Sequence, residues 1–267
     1  MDISPRIFAI DWSGALKGPR KKIWLAEVVG GRLLRLECGR DRSETIGHVI
    51  AESKKTPEMI VGLDFAFSSP EWFVKSKDCG TIHEFWKLAA EQGESWMKEW
   101  PFWSKCKPER KPENEYRLCE EALLKNAAKP SSIFKLVGPS QVGRGSIRGL
   151  PWLLQLHQSG FSIWPFDSPG WLRAVEIYPR LFTPRIVKSD PEARRAFVQK
   201  YRGRCSNGLF SQITRDVSNS DDAFDALVSA FAMTEQLQAL CSLTQSLDPQ
   251  TNLEGAIWPP EERRCSA

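Results

Sequence analysis

Four short apolar segments in the first 64 residues have the lengths and boundaries of β-strands. They are Arg6–Asp11, residues 22–29, residues 32–38 and Met59–Asp64. Gly30 and Gly31 separate the second segment from the third, and two glycines in this position predict a hairpin because both adopt positive φ without steric cost. The fourth segment is apolar until its last residue, which is typical of a strand buried on both faces. The chain is therefore expected to open with three strands joined as a meander, followed by a buried fourth strand.

Helical patterns alternate with the strands, so we expect an α/β fold in a single domain spanning residues 1–267. Ser43 is expected to cap a helix that reaches about residue 54, because Ile46, Val49 and Ile50 share one face. Ser220 is expected to open a late helix with an apolar stripe. The remaining expected elements are a helix at 150–158, strands at 161–164 and 172–178, a helix near 190–201 and a closing edge strand at 254–258.

Residues 66–132 differ from this framework because they carry five of the eleven tryptophans and several clusters of proline and charge. We expect a Trp-rich helical insertion or subdomain here, with helices at 81–98 and 113–125. The tryptophans could stack on nucleic-acid bases. Aromatic residues of this kind are more often core or interface side chains, which is the favoured interpretation.

The composition excludes several classes of protein. Hydrophobic residues make up 41% and charged residues 26% of the chain, and the mean hydropathy is −0.37, which argues against disorder, collagen and coiled coil. No segment approaches the roughly 18 apolar residues of a membrane-spanning helix, and residues 1–6 do not resemble a signal peptide. We therefore expect a cytoplasmic protein. The seven cysteines lack the spacing of a metal site or disulfide framework and are expected to be reduced thiols.

Basic residues cluster in two segments, 125–148 and 180–204, although the net charge is only +4. Such clusters could face the phosphates of a nucleic acid or of another phosphorylated substrate. A solvated surface is the more frequent meaning of a charged segment, so both interpretations stay open.

Carboxylates stand at or near the ends of the predicted strands, where burial of a charge is costly without a partner. Asp11 ends the first strand, Asp64 ends the fourth, and Glu176 lies within residues 172–178. Asp222 and Asp225 are three residues apart on the late helix and therefore project from neighbouring parts of one face. Carboxylates that converge from strand ends and a helix are the ligands that Mg²⁺ or Mn²⁺ prefers.

Each of these acids also has a simpler interpretation as a surface residue or a helix cap. This interpretation is strongest for Asp221 and Asp222, which lie in the first turn of the late helix, where the helix dipole favours anions. At 100° per residue, Asp225 lies closer to the apolar stripe than Asp222 does. We therefore rank Asp225 ahead of Asp222 as a metal ligand.

Five motifs in order resemble those of a known family. They are IDWSGA at 10–15, GLDFAF at 62–67, VEIYPR at 175–180, DAFDA at 222–226 and EGAIW at 254–258. The chain resembles the family of domains of unknown function number 429, whose members are described as predicted nucleases of the ribonuclease H-like superfamily. The resemblance covers most of the framework and least of the Trp-rich region, and it implies a mixed five-stranded sheet flanked by helices.

The resemblance also implies a metal-dependent phosphodiesterase site. Asp11 would bridge the metals, Asp64 would be the second ligand, and Asp222 or Asp225 would be the helix-borne ligand. Glu176 lies in a Glu-x-x-Pro motif and would be an additional ligand or a support for the ligands. This chain has Asp64 on the fourth strand, where superfamily nucleases often have the longer Glu.

Residues 141–146, a glycine-rich segment, are expected to form a loop before the helix at 150–158. Free backbone N–H groups at a helix start favour anions, so Arg144, Ser146 and Arg148 are candidate phosphate-binding residues. The segment matches neither the P-loop nor the Rossmann motif, and an ordinary loop is an equally good interpretation. The three histidines, at positions 48, 83 and 157, are far apart in the sequence and are expected to be structural or surface residues.

Together these observations predict a metal-dependent phosphodiester hydrolase, most specifically a nuclease, that uses Mg²⁺ or Mn²⁺. The expected partner is a nucleic acid or another phosphorylated substrate, and no membrane partner is expected. Two alternatives stay open: a nucleic-acid-binding module of the same fold without activity, and a nucleotide-binding phosphotransferase of the actin-like branch. The sequence indicates no oligomeric state.

Overall fold

A single mixed β-sheet runs through the part of the chain that the computed structural model describes, namely residues 5–56, 58–125, 130–138, 142–183 and 185–259. Its strands are β1 (Arg6–Asp11), β2 (Trp24–Val29), β3 (Arg32–Glu37), β4 (Met59–Asp64), β5 (Ser162–Ile163), β6 (Leu172–Ile177) and β7 (Ile257–Trp258). The order is β3-β2-β1-β4-β6-β5, and β7 also pairs with β6. β2 is antiparallel to both of its neighbours, and every other pairing is parallel.

The predicted opening hairpin is confirmed. Gly30 and Gly31 have φ values of 55° and 76°, the positive values that glycine adopts without strain. β1 is then placed between β2 and β4, in the centre of the sheet. The described sheet has seven strands rather than the five that the family resemblance implies, because the short strands β5 and β7, both expected from the sequence pattern, pair with β6.

Helices cover both faces of the sheet. They are α1 (Arg42–Ser53), α2 (Glu71–Lys75), α3 (Ile82–Trp96), α4 (Leu118–Lys125), α5 (Val142–Gln158), α6 (Pro191–Val198), α7 (Asn207–Asn219), α8 (Asp221–Glu235), α9 (Leu237–Cys241) and α10 (Thr251–Glu254). Short 3₁₀ helices occur at Pro19–Lys21, Pro108–Arg110, Pro179–Leu181 and Gln199–Arg204. None of the helices in the described ranges is long and apolar enough to cross a membrane.

Two helix starts differ from the prediction. Asp41, not Ser43, caps α1: its carboxylate accepts the backbone N–H of Glu44, and the Glu44 side chain accepts the N–H of Asp41. This reciprocal pair is a capping box, which a search for a serine cap alone misses. Ser220 caps α8 as predicted, with its hydroxyl accepting the N–H of Ala223.

The second difference concerns the glycine-rich segment. α5 begins at Val142, so the described part of that segment is helix and not loop. Glycine is needed here for close packing: a Cβ at Gly143 would lie 2.3 Å from the carbonyl oxygen of Ile133, and one at Gly149 would lie 2.4 Å from the Phe65 ring. Gln141, the first residue of the segment, lies outside the described residues.

The alternation of side chains along β1 creates two cores. Phe8 and Ile10 pack with α1, α3 and α5 on one face, whereas Ile7 and Ala9 pack with α6, α7 and α8 on the other. α7 was not expected from the sequence. The segment 66–132 contributes Phe85 and other residues of α2 and α3 to the first core, so its helices continue one face of the sheet.

Most tryptophans of this segment support the prediction that they are core residues. Trp86 and Trp96 are buried, and Trp72 packs against the same core. Trp86 Nε1 donates to the carbonyl oxygen of Phe67, and Trp103 Nε1 donates to Glu115. Trp100 is the exception, since 59% of it is exposed.

Candidate metal centre

The carboxylates of Asp11 and Asp64 meet because the strands that carry them are parallel neighbours in register. Asp11 is paired with Asp64 at the carboxyl ends of β1 and β4. Because side chains alternate between the two faces along a strand, Asp11 and Asp64 project to the same face as Ala9 and Ile60, which belong to the core beneath α8. One oxygen from each, together with one from Asp225 on α8, lies within 4.8 Å of the other two. The expected convergence of Asp11 and Asp64 is thus confirmed.

The late helix brings its two candidate ligands to different places. Asp225 is 8% exposed and joins the group of three carboxylates, here called the acid trio (Asp11, Asp64 and Asp225). Asp222 lies one turn nearer the start of α8 and lines the same cleft without joining the trio. This placement agrees with the position of Asp225 beside the apolar stripe.

Lys188 balances part of the negative charge. Its ammonium forms an ion pair with Oδ2 of Asp225, and three-quarters of its side chain is shielded from solvent. The other oxygen, Oδ1, is buried and has no hydrogen-bond partner in the described part of the chain. A buried carboxylate oxygen without a partner is energetically unfavourable, and a cation would satisfy it. The sequence placed Lys188 only within a basic segment and gave no sign of this contact.

Burial and mutual repulsion raise the pKa values of the acids. Burial, followed by the charge of Asp64, raises the pKa of Asp11 well above its usual value. Burial and the charge of Asp225 raise the pKa of Asp64 to about 8. Burial also raises the pKa of Asp225, and burial with neighbouring carboxylates raises that of Asp222 to about 6. Such shifts are typical of sites that exchange protons or bind cations.

Glu176 lies outside the acid trio because it points to the other face of the sheet. It pairs in register with Leu63, whose side chain belongs to the first core, so it is one position out of phase with Asp64. Its carboxylate accepts two hydrogen bonds from the guanidinium of Arg117, at 2.5 and 2.8 Å, and one from the backbone N–H of Phe67 at 2.8 Å. These contacts support the alternative in which Glu176 has a supporting role.

Arg117 was not identified from the sequence. It is fully buried and also binds Glu120 and the carbonyl oxygen of Glu254. Arg117 thereby connects the segment 66–132 to β6 and to the end of α10. In the sequence, Arg117 is a single arginine within an acidic segment. This pattern is too common to indicate a buried ion pair.

The three candidate phosphate-binding residues have different environments. Ser146 is buried and its hydroxyl accepts the N–H of Ala66 at 3.0 Å, which gives it a contact within the fold. Arg148 is held by Glu94, 2.6 Å away, and by the carbonyl oxygen of Gly14, which gives it a structural role in this state. Arg144 is exposed at the cleft and has no hydrogen bond or ion pair within the described ranges.

The acid trio lies in a cleft with a volume of about 910 Å³. Basic side chains surround the acids in this cleft: Lys17, Lys22, Lys98, Arg144, Arg148 and Lys188. Other basic residues serve the fold instead. Arg194, for example, is buried and donates to the carbonyl oxygens of Val217 and Ser218. The site therefore combines an acidic centre with a basic rim.

No protein-family model matches this sequence, and no curated protein or solved structure matches it either. The relationship to the ribonuclease H-like family therefore stays a prediction from the five motifs. The geometry of the site has to be interpreted from its own residues.

The Arg117 ion pairs can be tested by mutation. We expect Arg117→Met to lower the free energy of unfolding by about 3–5 kcal/mol, because it leaves the buried carboxylates of Glu176 and Glu120 without a counter-charge. Arg20→Met, which breaks an exposed ion pair with Glu44, should cost less than about 1 kcal/mol. Urea denaturation of both variants measures the difference, and equal losses would contradict the role given to Arg117.

The raised pKa values predict how stability changes with pH. Because the folded protein holds the Asp64 proton up to about pH 8, whereas an unfolded Asp loses it near its usual value of 3.8, the free energy of unfolding should fall as pH rises between them. Asp64→Asn should make this fall shallower by more than about 1 kcal/mol over that range. Denaturation in chelator at several pH values tests this, with exposed Asp221→Asn as the matched amide control. Parallel profiles for wild type and Asp64→Asn would refute it.

Proposed function

We propose that this protein is a metal-dependent phosphodiester hydrolase that acts on nucleic acid, with Mg²⁺ or Mn²⁺ as its cofactor. The observation that carries the proposal is the acid trio, in which one oxygen of each carboxylate lies within 4.8 Å of the other two. In addition, Asp225 Oδ1 is buried and has no hydrogen-bond partner among the described residues. All candidate ligand atoms are oxygens, which suits hard divalent cations better than Zn²⁺ or Cu²⁺.

In this proposal Asp11, Asp64 and Asp225 hold the cation. When bound, Mg²⁺ or Mn²⁺ supplies an activated water and stabilises the charge of the leaving oxygen. Lys188 holds Asp225 in position and offsets part of the repulsion within the trio. Glu176 does not touch the trio; with Arg117 it fixes the end of β6 beside the cleft.

The basic rim accounts for the class of substrate. A phosphodiester backbone carries regularly spaced negative charges, and side chains such as Arg144, Lys17 and Lys98 could contact them without reading the bases. The cleft is large enough to admit a segment of chain rather than a single ion. These features favour nucleic acid over a small phosphorylated substrate.

The ribonuclease H-like assignment is part of the same proposal. It is supported by the five motifs and by the arrangement of the elements: an antiparallel meander of β1, β2 and β3, then α1, then the parallel strand β4, with the acidic helix α8 beside β1. Under this assignment Asp64 takes the place of the longer Glu, and the close approach of α8 places Asp225 within reach of it.

A cleavage assay tests the proposal directly. Wild-type protein should cleave at least one member of a panel of linear and branched DNA and RNA when Mg²⁺ or Mn²⁺ is present, and chelator should abolish the reaction. Asp11→Asn and Asp225→Asn should each lower the rate by at least about 100-fold, since each removes a ligand. Asp221→Asn changes an exposed acid of the same helix and should retain activity.

The same experiment separates the proposal from its non-catalytic alternative. Binding to the panel without cleavage, with an affinity that chelator leaves unchanged, would identify a nucleic-acid-binding module instead. Full activity of Asp11→Asn would also reject the acid trio as the catalytic centre.

The basic rim makes a second prediction. If Arg144 contacts a phosphate, the affinity for duplex DNA should fall with salt, and Arg144→Ala should reduce the slope of log affinity against log salt by about 0.9. Arg215→Ala removes an exposed charge of α7, which packs on the face of the sheet opposite to α5, the helix that carries Arg144. This variant should leave the slope unchanged. Fluorescence anisotropy over a salt series measures both, and equal slopes for wild type and Arg144→Ala would assign Arg144 to the solvated surface.

A further inference from the structure

A second group of possible metal ligands lies away from the cleft. His83 lies in the first turn of α3, His157 lies in the last turn of α5, and Asp167 follows β5. One ligand atom from each lies within 4.8 Å of the other two, and the two imidazole rings are 4.2 Å apart. These three residues are here called the histidine site. Its two histidines are far apart in the sequence and were expected to be structural or surface residues.

We propose that the histidine site binds Zn²⁺ and that the bound ion joins the helical insertion to the framework. The site supplies two imidazole nitrogens and one carboxylate, a ligand set that favours Zn²⁺ and similar transition metals over Mg²⁺. The acid trio, with oxygen ligands only, favours Mg²⁺ or Mn²⁺ instead. The chain thus offers two sites with different metal preferences.

The contacts within the site show which atoms would face the ion. His83 Nε2 is 3.1 Å from Asp167 Oδ1, and His157 Nδ1 is 2.9 Å from Asp167 Oδ2. Both nitrogens therefore already point at the same carboxylate. A Zn²⁺ ion would replace the hydrogen-bonding protons between these atoms, so that only modest movement of the side chains is needed.

The surroundings hold the ligands in place. Asp167 Oδ2 also accepts the backbone N–H of Ile163 at 2.8 Å, and the His83 ring packs edge-on against Trp86 at 5.1 Å. Metal ligands in proteins usually have such supporting contacts, which fix their orientation. Burial opposes ionisation of Asp167, but the hydrogen bonds from His83, Ile163 and His157 hold its pKa below the usual value. The carboxylate is therefore ionised at neutral pH.

The exposure of the site leaves room for exchange of the ion. The side chains of His83 and His157 are 35% and 38% exposed, whereas that of Asp167 is 14% exposed. Three protein ligands leave a fourth tetrahedral position open to water. Because the ligands come from α3, α5 and the turn after β5, a bound ion would restrain the insertion against the framework.

Zn²⁺ binding to the full-length protein, prepared without a polyhistidine tag, tests the proposal. We expect one Zn²⁺ per chain at micromolar concentration by calorimetry and by metal analysis after dialysis. His157→Asn and Asp167→Asn should each weaken binding by at least about 10-fold, because each removes a ligand. His48→Gln changes the third histidine, which lies outside the site, and should bind as wild type does.

Thermal denaturation gives a second reading that does not depend on activity. Zn²⁺ should raise the melting temperature of wild type through its preference for the folded state, and this shift should disappear in His157→Asn. Melting without metal shows that each variant is folded. A Mn²⁺ response that persists in His157→Asn belongs to the acid trio, so failure here is distinguishable from failure of the proposed nuclease activity. Unchanged Zn²⁺ affinity in both variants, or no stoichiometric binding by wild type, would overturn the proposal.

Discussion

The register between β1 and β4 is the constraint on which the site depends. It places Asp11 beside Asp64 at the end of the sheet, where both carboxylates lose water and repel each other. The late helix adds Asp225 to the same place instead of relieving the repulsion. Without a bound metal, the fold must supply positive charge near these carboxylates, because like charges at this distance disfavour the ionised form.

Two basic residues meet this need from opposite faces of the sheet. Lys188, which precedes α6, neutralises Asp225 on the face covered by α8. Arg117, which precedes α4, neutralises Glu176 on the face covered by α2 and α3. Residues 66–132 therefore supply counter-charge at the end of the sheet, in addition to covering one core.

The glycine-rich segment illustrates where interpretation of a sequence is ambiguous. Glycines favour loops because they lose much conformational freedom in a helix, and this argument predicted a loop before residue 150. In α5 the same residues allow close contact: the Cβ that any other residue would carry at Gly143 or Gly149 overlaps the Ile133 carbonyl or the Phe65 ring. The stabilisation from that packing cannot be predicted from the sequence until the neighbouring residues are known. Ser146 was a candidate phosphate-binding residue because of its place in the supposed loop. In the helix α5 its side chain is buried.

Sequence alone determined the strands of the opening meander, the hairpin glycines, the apolar strand β4, the cap of α8 and the acids that end β1 and β4. These features depend on residues within a few positions of one another, and local periodicity records them. Tertiary structure decided which acids share a site, because a shift of one residue in register moves a side chain to the other face, as it does for Glu176. It also decided the partners Lys188 and Arg117 and brought His83 to His157 across 74 positions of the chain. Such contacts are set by the packing of helices on the sheet, and the spacing of residues along the chain carries no record of it.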